Sequence, residues 1–85
     1  MMTMEKTAKA FLLVVRAENT AATDKAEETL KSGNISYKLT ALTQTAEYAE
    51  GIYELVYTEK HKKIITAVQN IPGVKTVSLV DCRKN

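Results

Sequence analysis

The chain reads as one α+β domain in which four short strands and two amphipathic helices follow the order β-α-β-β-α-β. Three observations lead there. Four strand-length runs are rich in apolar and β-branched residues, two stretches among them carry apolar residues at helical spacing, and breaks bearing Gly, Pro, Asn or other polar residues separate them. At 85 residues there is no room for a second hydrophobic core, so the domain count is one. A composition of 45% hydrophobic and 26% charged residues is that of a folded globular chain, not a disordered one. The domain is expected over residues 9–81, with 1–8 as a free tail or cloning scar and 82–85 as a polar tail.

The elements follow in order. Lys9 to Arg16 is a strand whose two faces are both apolar, which suits a central, buried position. Asn19-Thr20 offers N-cap chemistry, and Ala22, Ala26 and Leu30 then recur at helical spacing until Ser32-Gly33-Asn34 ends the first helix. Ile35, Tyr37, Leu39 and Ala41 alternate with Ser36, Lys38, Thr40 and Leu42 as a half-buried second strand. A polar stretch, Thr43 to Gly51, predicts a long turn before the third strand, Ile52 to Thr58, whose Tyr53, Leu55 and Tyr57 share one face. Thr58 can cap a second helix with Ile64, Ile65, Val68 and Ile71 on one stripe, stopped by Pro72-Gly73. Val74 to Val80 alternates as the last strand.

This order is that of the ferredoxin-like fold, a four-stranded antiparallel sheet with two helices on one face. Its other face is left to solvent or a partner. If Tyr37, Leu39, Tyr53, Leu55, Val77 and Leu79 face the helices, alternation sends Lys38, Thr40, Leu42, Ile52, Glu54, Val56, Thr76 and Ser78 to the open side. They are joined there by one of the two sets on the first strand, Leu12 with Val14 or Phe11 with Leu13 and Val15. A patch of Leu12, Val14, Ile52 and Val56 is the expected interface of a homodimer, because a small domain gains stability by covering such a surface with a second copy.

The same fold hosts several chemistries, and most are missing here. A metal-carrying version needs paired thiols in the first loop, whereas the single cysteine, Cys82, follows the last strand. An RNA-binding version needs aromatic and basic residues interleaved on the first and third strands, and Tyr53 and Tyr57 read instead as core. A net charge of +2 is too small for a nucleic-acid binder that works by neutralising phosphates. Arg16-Ala17-Glu18-Asn19 lacks the glycines of a phosphate-cradling loop. No catalytic residue, metal site or cofactor is expected, and the lone Cys82 favours a reducing, cytoplasmic setting without redox duty. His61 reads as a solvated surface residue, and Glu27-Glu28 and Glu47 with Glu50 as separate acidic pairs. The run Lys60-His61-Lys62-Lys63 opposes the macrodipole at a helix start, and reads either as a solvated face or as a contact for phosphate or acidic head groups.

The closing segment, Val68-Gln69-Asn70-Ile71-Pro72-Gly73-Val74 continuing to Val80, together with Gly51 to Tyr57, resembles the ACT-like class of small regulatory domains. Within that class the chain is similar to the cytoplasmic C-terminal domain of an uncharacterised bacterial membrane protein family and, more distantly, to the tail of magnesium transporter C-like proteins. The resemblance implies a non-enzymatic regulatory or oligomerising domain, carried on the transmembrane segments of a parent chain and lying at the inner face of the membrane. Its alternative is an ACT domain sensing an amino-acid-type effector near the turn after the first strand, with the backbone N–H groups of Asn19, Thr20 and Ala21 as donors. The class places a glycine in that turn, and this chain has Asn19-Thr20-Ala21-Ala22 instead.

Overall fold

The computed structural model describes residues 9–81; both tails, and Cys82 with them, lie outside the described residues. Four strands and two helices follow one another as β1 (Lys9–Ala17), α1 (Thr20–Ser32), β2 (Tyr37–Gln44), β3 (Ala49–Tyr57), α2 (Lys62–Gln69) and β4 (Val74–Asp81). The sheet is antiparallel throughout in the order β2-β3-β1-β4, which is the ferredoxin-like arrangement. The strand with two apolar faces, β1, is central and pairs with both β3 and β4.

One face of the sheet is covered. Leu13, Val15 and Ala17 of β1 and Tyr53 and Leu55 of β3 meet Ala22, Ala26 and Leu30 of α1 and Ile65 and Val68 of α2, all buried. Each large aliphatic side chain removed from water here contributes about 1.5–3 kcal/mol. The alanines of α1 keep its contact stripe thin, which lets the helix lie close to the strands.

The end of α1 departs from the expected glycine stop. Gly33 has φ −88°, within reach of any residue, and the left-handed position falls to Asn34 with φ 62°. Asn34 N–H donates to Lys31 O and Ile35 N–H to Leu30 O, each at 3.0 Å, and Ile35 and Leu30 are both buried. This is a Schellman cap with its hydrophobic contact. Gly33 serves packing instead, since a Cβ there would stand 2.6 Å from Ile64 Cδ1. Gly73 (φ 96°) does supply a turn, in which Val74 N–H donates to Ile71 O at 3.0 Å behind Pro72.

Three expectations are corrected. The turn between β2 and β3 is short, because Thr45 Oγ1 accepts from both Glu47 N–H and Tyr48 N–H at 3.1 Å and reverses the chain on the spot. Polar Thr43, Gln44 and Glu50 are therefore strand residues. A bulge at Thr40, whose hydroxyl donates to Ile52 O at 2.9 Å, moves Ala41 opposite Ile52 and Leu42 opposite Gly51. Leu42 thus leaves the open-face register assigned to it by strict alternation. Thr58 begins a 3-10 turn, Glu59–His61, rather than α2 itself.

Candidate functional surfaces

The open face of the sheet carries Leu12, Val14, Ile52 and Val56 of the expected set, without Leu42. Val14 lies directly opposite Ile52, Leu12 is flanked by Glu54 and Val80, and Ala10 lies opposite Val56. Leu12, Val14, Ile52 and Val56 thus share a face, and Leu13 and Val15 take the other. Val56 and Val80 are 51% and 48% exposed, so the apolar strip faces outward. It has a polar border. Lys38 lies opposite Glu54, and at the other end Arg16 holds its guanidinium 4.3 Å above the Tyr48 ring with Nε 4.0 Å from Glu50 Oε2.

The turn between β1 and α1 is built differently. Asn19 is the N-cap, and its side-chain oxygen accepts from Ala22 N–H at 3.1 Å. Thr20 O accepts from the Thr23 hydroxyl at 3.0 Å, and Glu18 N–H donates to Gly73 O at 2.8 Å, which ties the turn to the loop before β4. That loop sits close, since a Cβ on Gly73 would stand 3.2 Å from Ala22 Cβ. Asn19, Thr20 and Ala21 do fall together at the helix start, with the carboxamide of Asn19 serving the helix itself.

A polar cluster between helix and sheet escaped the reading of single residues. The hydroxyls of Tyr37 and Tyr53 donate to the two carboxylate oxygens of Glu27, at 3.3 and 3.2 Å, and the two rings meet edge to face with centroids 5.5 Å apart. Burial, and then the Glu27 charge, push both phenols above their ordinary range, Tyr53 furthest. Both are held protonated. The two hydrogen bonds join α1 to β2 and β3, so the trio is a lock between the helix and the sheet. Its signal lay in the sequence. Glu27 sits between Ala26 and Leu30 on the inward side of α1, where an unpartnered carboxylate would be costly.

His61 is likewise not a free surface residue. Its Nδ1 accepts from Thr58 N–H at 3.2 Å, and its ring centroid lies 6.2 Å from that of Tyr57. The hydroxyl of Thr58 is buried without a partner among the described residues. Among those residues no three His, Cys, Asp or Glu side chains gather as a metal site.

Solved structures share this architecture. The ACT domain from GTP pyrophosphokinase of Chlorobium tepidum superposes with a TM-score of 0.69 at 12% identity, over 87% of this chain and 100% of that one. The fold is ACT-like. The C-terminal domain of the MgtC protein from Mycobacterium tuberculosis matches with a TM-score of 0.61 at 12% identity, over 93% of each chain. A homoserine dehydrogenase from Thiobacillus denitrificans matches with a TM-score of 0.67 at 21% identity over 94% of this chain, which spans 19% of that enzyme's length. No protein-family model matches the chain, and neither does a curated protein.

Proposed function

We propose that this ACT-like domain is a non-enzymatic regulatory module that works by pairing with a second copy through the open face of its sheet. The observation behind this reading is the apolar strip of Leu12, Val14, Ile52 and Val56, on the face opposite the two helices. Covering it removes apolar surface from water, while Arg16, Glu50, Lys38 and Glu54 around it can pair across a two-fold axis and fix the register of the two copies. The deciding experiment is light scattering on the wild type and on Val56→Lys. A dimer in the first and a monomer in the second support the reading, and a wild type that stays monomeric at high concentration removes it.

The domain is further proposed to be the cytoplasmic appendage of a bacterial membrane protein. The match over 93% of each chain to the C-terminal domain of the MgtC protein supports an appended domain, and the resemblance of the segment from Val68 to Val80 implies a membrane-protein parent. Several hydrophobic spans encoded upstream of Met1 are the expected finding, and a stop codon immediately upstream would remove the proposal.

A further inference from the structure

Charge in this domain is divided along the strand axis. Antiparallel register gathers the start of β1, the end of β3 and the end of β4 at one end, where Phe11 lies opposite both Leu55 and Asp81. The end of α1 and the start of α2 meet at the same end, at the Gly33–Ile64 contact. Among the described residues that end carries Lys31, Lys38, Lys60, Lys62 and Lys63 against Glu28, Glu54, Glu59 and Asp81. The opposite end carries Arg16, Lys25 and Lys75 against Glu18, Asp24, Glu47 and Glu50. Lys60, Lys62 and Lys63 are exposed and line, with Glu59 and Thr66, an open depression of about 680 Å³. Lys62 and Lys63 open α2 and Lys60 stands in the 3-10 turn just before it, where positive charge opposes the macrodipole.

We infer that this basic end is a docking surface for an anionic lipid bilayer. The surface is made of side-chain charge from the connections at one end, not of helix N–H groups. Among the described residues its cations are lysines, point charges on flexible stems that suit a diffuse negative surface, without the planar fork with which arginine grips a single phosphate. The aromatic rings nearest to it, Phe11 and Tyr57, pack edge to face on each other at 5.6 Å instead of standing out to stack on bases. Lys60, Lys62 and Lys63 belong to the connection into α2 and not to the sheet, so these three do not take part in pairing through its open face. The inference goes beyond the regulatory reading and does not require a membrane-spanning parent.

The test is co-sedimentation of the 85-residue chain with vesicles of phosphatidylcholine alone or mixed with phosphatidylglycerol. Binding is expected only to the anionic vesicles, and it should weaken as salt is raised. Combining Lys60→Gln, Lys62→Gln and Lys63→Gln should lower partitioning on the order of 100-fold, about fivefold for each charge removed. The thermal midpoint of that variant should hold or rise, because the charges oppose the helix dipole, so unfolding cannot account for the loss. Lys75→Gln, at the opposite end, should partition as the wild type does. Equal binding to neutral vesicles, no binding at low salt, or a triple variant that binds normally would each overturn the inference. So would displacement from the vesicles by inorganic phosphate beyond that caused by sodium chloride at the same ionic strength, which marks a phosphate site, or tighter binding to duplex DNA.

Discussion

The two faces of the sheet are cut from the same strands and differ by one residue of register, yet they have opposite characters. On β1, Leu13 and Val15 are fully buried, while their neighbours Leu12 and Val14 keep part of their surface. On β3, Tyr53 and Leu55 are buried and Val56 is half exposed. Apolarity alone does not separate the two sets. What separates them is what lies opposite: two helices and a tyrosine–glutamate lock on one side, and a border of charged pairs on the other. A strand with two apolar faces therefore reports that it is central, not which of its faces the helices cover.

The sharpest way to break this comparison is to truncate one residue on each face. Leu13→Ala should cost about 2–5 kcal/mol in denaturant unfolding. Leu12→Ala, measured on the monomer, should cost far less, and equal losses would mean that the two faces are not distinct. Next in size is the lock. Tyr53→Phe leaves one oxygen of Glu27 without its donor and should cost about 1–3 kcal/mol. The lock also has a pH signature. Because both phenols are raised in the folded state, the unfolded chain loses their protons first. Stability is then fully present below about pH 10, the ordinary tyrosine value, and falls as pH rises above it. Unfolding followed across that range should show the decline, weakened in Tyr53→Phe; a flat profile would contradict the lock.

Asn19→Ala comes next, at about 1 kcal/mol for a lost N-cap. A thermal-shift screen of the wild type against common amino acids should leave the midpoint unmoved if Asn19 serves only the helix. A reproducible shift with one amino acid, abolished by the substitution, would instead favour an effector site at Asn19 to Ala21. The smallest effect on folding is expected from Val56→Lys, within about 0.5 kcal/mol, although it should abolish the dimer.

The order of elements was legible because each strand and helix carries its own period, and the breaks at Ser32-Gly33-Asn34 and Pro72-Gly73 are chemically plain. The register beyond Leu39 was not, since a bulge adds a residue without any compositional mark and Thr40 looks like any alternating threonine. The extent of the hairpin was hidden for a related reason. Thr43, Gln44 and Glu50 are polar because they belong to the exposed edge and open face, not because the chain turns there. The placement of Leu12, Val14, Ile52 and Val56 on one face followed once β1 was settled. Glu27 and His61 were misread because their partners, Tyr37 with Tyr53 and the Thr58 backbone, come from folding and not from adjacency.

The neighbourhood of Phe11 and Asp81 has a mechanical consequence. Tension applied through Lys9 and Asp81 acts on adjacent antiparallel strands from the same end. Such a load peels β1 from β4 like a zipper, opening their hydrogen bonds in succession, whereas a load along the strands would shear many at once. The domain should therefore yield at low force when pulled by its ends, and behave in a longer chain as a pendant weight and not as a strut.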